Sequence, residues 1–397
     1  MAASRTILIA GAGIGGLTAA KALADKGFRV VLCEQADPPQ EAGAGLQLSP
    51  NATRVLIALG LASRLEPHVV VPQAVSIRQA ASGREIARIP LGDDIAFRYG
   101  APYWTMHRAD LQAALIDTVK AHPDIILKIG TRVEDFAMHA HGVTAYLKQA
   151  VHVSNERGIA FVAADGLWSR TRAQITQETA PRFRGRVAWR AMLDANHVRD
   201  EFREPVVRLW LGKDAHLVHY PVSAGRQINV VAIVGGKAGS AGWNTPGRRE
   251  DILKRFARRD WTIAARDLIN EAEQWQTWPL YDRPARRHWG QGPITMLGDA
   301  AHPTLPFIAQ GAGMAIEDAV TLAQCLSVDD ADPVRALRLY EGLRRKRTAR
   351  IQRTSRMNGR IYHLGGPLAA LRDFLLARMG GEKLRERYDW LYDWRRV

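Results

Sequence analysis

Cysteine is nearly absent from this chain: Cys33 and Cys325 are the two such residues among 397. That excludes a disulfide framework and a cysteine-built metal site, and a cytoplasmic setting is expected. No apolar run approaches the ~20 residues that a membrane-spanning helix needs. The stretch Thr6–Ala10 is too short for a secretory leader and runs directly into glycines. Internal repeats and low-complexity linkers are also missing. Acidic residues are outnumbered, 40 against 55 Lys and Arg, giving a formal charge of +15. Such an excess suits nucleic acid, a membrane surface or anionic small molecules. Much of it lies in Arg344, Arg345, Lys346, Arg347, Arg350, Arg353 and Arg356, which scatter around a helix without forming one recognition face. No nucleic-acid motif accompanies them, so a solvated helix is expected there and no nucleic-acid partner.

What is present describes a globular protein, with 47% hydrophobic and 24% charged residues. Its length exceeds one ordinary domain. Thr6–Ala10 predicts a buried strand, Gly15–Lys26 a helix ended by Gly27, and Arg29–Glu34 a second strand. Helical spacing recurs at Asn51–Leu61 and Arg108–Ala121. Ala74–Leu91 alternates around the turn Ser82–Gly83, predicting a hairpin outside the parallel sheet. Strands are expected at Val206–Leu211, His216–Val222 and Asn229–Val234, and a buried strand at Ile294–Leu297 leads to a helix over Gly311–Leu326. From Pro333 on, the chain reads as helical. This order predicts an α/β fold: a Rossmann-like nucleotide-binding part (1–73, 106–180, 281–340) interleaved with a β-rich part (74–105, 181–280), then a helical C-terminal segment (341–397).

Gly11-Ala-Gly13-Ile14-Gly15-Gly16 satisfies G-x-G-x-x-G between a strand and a helix, the context that gives the pattern meaning. Gly11 permits the tight turn, Gly13 lets the backbone approach a pyrophosphate, and Gly16 lets helix and strand pack closely. The helix start offers free N–H groups to phosphate. Glu34, at the end of the second strand, is placed to accept from a ribose and to repel a 2′-phosphate, which favours FAD or NAD over NADP. The motif alone does not choose between those two.

The choice is carried by Gly298-Asp299-Ala-Ala-His302-Pro303-Thr-Leu-Pro306 and Gln310-Gly311-Ala312-Gly313-Met314-Ala-Ile-Glu317-Asp318. Together with Gly11–Gly16, the Arg108–Gln112 helix start and Asp165-Gly166-Leu-Trp-Ser169-Arg-Thr-Arg172, this segment resembles the single-component flavoprotein aromatic hydroxylases. Within that p-hydroxybenzoate hydroxylase-like class, the chain resembles the salicylate and 3-hydroxybenzoate hydroxylase branch over essentially its whole length. The resemblance implies FAD held by Gly11, Gly13, Ile14, Gly15, Gly16, Glu34, Gln47, Arg108, Gln112, Asp165, Asp299, Pro306, Gly311, Ala312, Gly313 and Met314. Asp299 suits the ribityl hydroxyls. The N–H groups of the Gly311 helix suit the flavin edge that becomes anionic on reduction. Asp165-Gly166 serves equally well as a plain structural turn. Ala315, Ala319, Leu322 and Leu326 give that helix a narrow apolar packing face.

His216, Val218 and Tyr220 share one face of their strand. The resemblance implies that His216 and Tyr220 are catalytic and contact substrate. It places Gln47 and Pro303 beside substrate, with Pro303 and Pro306 walling the flavin. A His of ordinary pKa would take a phenol proton at neutral pH. Trp189, Arg190 and Trp278 are expected chiefly as core packing. The implied reaction is hydroxylation of a small phenolic acid with O2 and transient NADH or NADPH, through a flavin hydroperoxide. A homodimer is compatible with the class. The alternatives are an N-heteroaromatic substrate such as a hydroxynicotinate, a simple NAD dehydrogenase, or a flavoprotein without hydroxylase activity. No metal site is expected.

Overall fold

Thr6–Ala10 is apolar or β-branched throughout and buried at every position, as a strand covered on both faces must be. The computed structural model, which describes residues 5–37, 44–176, 180–237, 245–257, 260–329 and 332–395, places it centrally in a five-stranded sheet. Its neighbours are Ala160–Ala163 and Arg29–Cys33, with Ile294–Met296 and Ile125–Lys128 outside them. All four pairings are parallel. The chain then turns through Gly11, at φ +100°, into the helix Ile14–Ala24. A Cβ on Gly16 would stand 1.9 Å from the Gly11 carbonyl oxygen, so only glycine lets this helix lie so close to the turn that leads into it.

The helix Gly311–Val328 packs on Ile14–Ala24. It is buried on more than one narrow face: Met314, Ile316, Val320 and Ala323 are as inaccessible as Ala319, Leu322 and Leu326. Glu317 and Asp318 are buried with them. These two carboxylates overturn the solvated reading of the downstream arginines. In the helix Pro333–Tyr362, Arg344 is 1% exposed and pairs with Glu317 and with Asp318, each at 2.6 Å. Arg347, one turn later, pairs with Glu317 at 2.7 Å, and Arg356 reaches Asp282 at 2.6 Å. Burial pushes both carboxyls up, but the cations beside them prevail. His302 and Arg344 hold Asp318 down at about 2, and Arg344 and Arg347 hold Glu317 below the usual carboxylate range. Lys346, Arg350 and Arg353 do remain exposed.

The second large sheet has eight strands in the order Thr245–Gly247, Trp275–Asp282, Arg182–Asp194, Gln227–Gly235, Ala215–Val222, Val206–Gly212, Ala74–Gln79 and Glu85–Pro90. The expected hairpin is there, and Ala74–Gln79 joins the sheet by pairing parallel to Val206–Gly212. A third sheet, Thr131–His139, Gly142–Gln149 and His152–Gly158, lies outside the expected layout. It buries Val143, Ala145 and Leu147 on one side while Val151 and Val153 stand exposed, so its alternation is diluted. Among the described residues, no helix is long and apolar enough to cross a membrane.

Candidate active site

The glycine loop and the Gly311 helix both present unpaired backbone donors. Neither helix has a side-chain cap at its start. The first intrahelical bonds run from Leu17 N–H to Gly13 and from Met314 N–H to Gln310. The N–H groups of Ile14, Gly15 and Gly16, and of Gly311, Ala312 and Gly313, therefore have no partner within their helices. The side chains of Ile14 and Met314 are core. Around Gly13 an added Cβ would meet nothing within 4 Å, in contrast to Gly11, Gly15 and Gly16. The open side of the loop is thus where a phosphate would lie. Glu34 accepts from Ala12 N–H at 2.8 Å and from Ala36 N–H at 2.9 Å, which fixes its carboxylate beside the loop.

Arg108 and Asp299 face one another electrostatically across this region. Burial lowers the Arg108 guanidinium and raises the Asp299 carboxyl, and each opposes the shift of the other. Gln112 is buried one turn beyond Arg108. Asp165 holds its own turn together, because its Oδ2 accepts from Arg170 N–H at 3.1 Å while Gly166 takes φ +76°. Its Oδ1 is nevertheless buried without a partner among the described residues. Arg172, fully buried, ties this turn to the Ala300 and Ala301 carbonyls at 2.8 Å each. Two uncapped helix starts, an open glycine, a half-buried arginine and a half-buried carboxylate fit a dinucleotide with a polyhydroxyl chain. Bound FAD would supply hydride acceptance from a nicotinamide and activation of oxygen.

The other half of the site is one face of the eight-stranded sheet. Strand register puts His216, Ile233 and Ala188 in one row, Val218, Val231 and Arg190 in the next, and Tyr220, Asn229 and Met192 in the third. Directly paired residues point to the same face. The rows containing His216 and Tyr220 are largely buried, whereas Val218, Val231 and Arg190 keep partial exposure. The middle of the face is therefore a recess with closed ends. Phe307 and Tyr362 close the His216 end, with ring centroids 5.6 and 5.5 Å from the imidazole. The strand Gly45–Leu48 closes the other: a Cβ on Gly45 would be 2.9 Å from the Tyr220 ring, and Gly45 N–H donates to Asn229 at 2.7 Å. Gln47 accepts from Tyr103 Oη at 2.9 Å and also bonds Tyr220.

Charge at this recess is distinctive. Arg190 lies over the Trp278 ring at 4.7 Å, and its Nε is buried with no hydrogen bond among the described residues. Burial lowers its pKa to about 10, so it stays cationic at neutral pH. Among the described residues no carboxylate pairs with it. Asn229 Nδ2 is a second buried donor without a partner among the described residues. Burial pushes Tyr220 up to about 12, leaving a neutral phenol that can donate. The expectation of an ordinary His216 fails: burial, reinforced by His363 and Arg186, drops its pKa well below 6.5. Its Nδ1 lies 2.8 Å from His363 Nε2.

Of the residues singled out from sequence, Gln47, His216 and Tyr220 come together at the recess. Pro306 opens the turn that carries Phe307. Pro303 is buried, and the contact seen for it runs to Gln352 of the Pro333–Tyr362 helix, whose side chain donates to its carbonyl at 2.8 Å. Trp278 is core as expected, and Arg190 packs on its ring while, among the described residues, no carboxylate pairs with it. Tyr103, Phe307, Tyr362 and His363 carry no signal in the sequence. Among the described residues no group of three His, Cys, Asp or Glu could hold a metal.

A 3-hydroxybenzoate 6-hydroxylase of Polaromonas naphthalenivorans (strain CJ2) is 36% identical over 388 residues, covering 98% of this chain and 96% of that one. A 3-amino-4-hydroxybenzoate 2-monooxygenase of Streptomyces platensis is also 36% identical, covering 97% and 95%. The crystal structure of Klebsiella pneumoniae HpxO complexed with FAD and uric acid superposes with a TM-score of 0.84 at 26% identity, covering 98% and 96%. The family described as FAD binding domain matches residues 4–355, and the chain belongs to it.

Proposed function

We propose that the protein is an FAD-dependent monooxygenase that uses NADH or NADPH and O2 to hydroxylate a small phenolic acid of the hydroxybenzoate class. The observation that carries the substrate class is Arg190, a cation whose Nε is buried and, among the described residues, unbonded beside the recess. Leaving such a group without an anion is costly, so a carboxylate belongs there. Arg190 is two strands from Val218, about 10 Å by ordinary strand spacing. A hydroxybenzoate held at its carboxylate by Arg190 would lay its ring over Val231 and Val218 and bring a phenolic hydroxyl toward His216. Tyr220, Gln47 and Tyr103 would fix the ring edge, and Asn229 Nδ2 offers one more donor.

His216 would then take the phenolic proton, raising electron density at the ring carbon to be oxidised. Its lowered pKa keeps it unprotonated through the neutral range. Two relatives of equal identity named for hydroxybenzoates with different further substituents support the class, since carboxylate and phenol are what those names share. The uric acid complex of HpxO is the reason to include N-heteroaromatics in any test.

The substrate assignment is checked by titrating the yellow holoenzyme with 3-hydroxybenzoate, 3-hydroxybenzamide and 6-hydroxynicotinate, following flavin absorbance. The acid should bind more tightly than its amide, and Arg190→Met should remove that preference. Loss of a desolvated ion-pair partner corresponds to about 2–5 kcal/mol. Equal binding of acid and amide to the parent contradicts the carboxylate assignment.

A further inference from the structure

His363 lies immediately past the helix Pro333–Tyr362, 147 residues from His216 in sequence, yet the two imidazoles meet at 2.8 Å in a buried pocket. Two bare nitrogens at that distance repel, so one of them carries the shared proton. The Gly359 carbonyl, one turn back in the helix, accepts from the His363 ring, and because Nε2 faces His216 that bond falls to the other nitrogen. A carbonyl only accepts. That nitrogen therefore holds the His363 proton, and Nε2 of His363 is bare. The proton between the rings then belongs to His216 Nδ1, and His216 Nε2 is left as the basic atom.

Resting on the reading of His216 as the base, we propose that His363 is a positioning residue that accepts the His216 Nδ1–H and so fixes the tautomer in which Nε2 can take a phenolic proton. The opposite tautomer would present an N–H at Nε2 and could not act as a base. When His216 becomes positive, the same contact turns into a charge-assisted hydrogen bond.

The surroundings are built to hold the pair still. Phe307 packs against both rings, tilted to His216 and edge-on to His363, and it fits because Gly359 lacks a side chain: a Cβ there would lie 2.6 Å from the Phe307 ring. The charged groups facing the pair come from three other elements. Arg186, on Arg182–Asp194, donates to the Asp214 carbonyl and approaches its carboxylate at 3.8 Å. Arg372, on Gly366–Glu386, pairs with Asp373 at 2.8 Å. Tyr362 is the remaining titratable neighbour, and burial keeps it neutral. Burial, then Arg186, lowers His363 to about 4, so both histidines are neutral at pH 7 and the tautomer argument applies there.

The test is 15N NMR of holoenzyme labelled at histidine, with the His216 signals assigned by their loss in His216→Ala. The parent should show His216 protonated at Nδ1 and bare at Nε2. His363→Phe should give a mixture of tautomers, and His363→Gln, with an amide oxygen near the place of Nε2, should restore the parent pattern. In turnover, His363→Phe should lower the ratio of hydroxylated product to hydrogen peroxide at least about tenfold at pH 7, recovering as pH rises, while KM for the phenolic acid changes little. The glutamine variant should recover most of that ratio. An Nε2-protonated His216 in the parent overturns the proposal. So does a phenylalanine variant matching the parent in tautomer and pH profile, or a glutamine variant as defective as phenylalanine when both melt like the parent. A parent that hydroxylates no phenolic acid removes the base reading, while the tautomer spectrum still decides the His216–His363 contact.

Discussion

His216 and Tyr220 can be paired from the sequence because a strand repeats every two residues, and four residues apart means one face and two rows. Their partners cannot be paired that way. Arg190 reaches the face only through the register of two antiparallel neighbours, and Tyr362 and His363 arrive at the end of a helix from another part of the chain. Burial is likewise invisible in a strand pattern, which is why an ordinary pKa is expected for His216 and a lowered one is found. His216→Ala should retain FAD and still oxidise NADH in the presence of substrate, because hydride transfer to a flavin needs no protein base. Its hydroxylation step should slow about a hundredfold to ten-thousandfold, with peroxide replacing product. Product formation should partly return at high pH, where solvent supplies phenolate. Rapid-mixing spectra and product analysis check this, and a variant that hydroxylates like the parent across pH assigns the base elsewhere.

Among the elements, the glycine loop is readable almost atom by atom, since each glycine answers a steric demand made by its immediate neighbours. Gly13 and Gly16 separate binding from folding. Gly13 has φ −70° and open space around its missing side chain, so Gly13→Val should fold and melt near the flavin-free parent yet purify colourless. Gly16→Ala places a methyl 1.9 Å from the Gly11 carbonyl and should cost stability as well as flavin. Flavin absorbance and thermal melts on both variants check the pair; a folded, fully yellow Gly13→Val contradicts the phosphate site. The helix Pro333–Tyr362 is the element least legible in the sequence. Its arginines look solvated because their acidic partners, Glu317 and Asp318, lie on a helix that carries apolar residues on several sides. Periodicity shows which residues share a face but not which face is covered by another element.

At the scale of the molecule, interleaving a parallel sheet with a mixed one puts two buried neutral histidines, His216 and His219, on opposite faces of one strand. His219 sits between Phe202 and Trp210 with neither ring nitrogen bonded, and burial, then Arg208 and Arg78, lowers its pKa well below 6.5. The unfolded chain takes up protons at these histidines near pH 6.5, and the folded chain does so only at lower pH. Their contribution to stability is therefore complete above 6.5 and is lost as the pH falls below it, down to about 4 in the case of His363. Each such histidine steepens the loss by up to about 1.4 kcal/mol per pH unit. Replacing His219 with Phe should flatten the decline between pH 6.5 and 5 in denaturant melts; an unchanged slope contradicts the buried neutral assignment.

Flavin at the parallel sheet and substrate at the mixed sheet serve one reaction, and coupled turnover tests this most directly. Purified holoenzyme with NADH or NADPH and O2 should oxidise nicotinamide faster when 3-hydroxybenzoate or another phenolic acid is added. At least one such acid should yield one hydroxylated product per nicotinamide consumed, with little hydrogen peroxide. Peroxide alone across hydroxybenzoates, salicylate and hydroxynicotinates, or no flavin retained at all, contradicts the account.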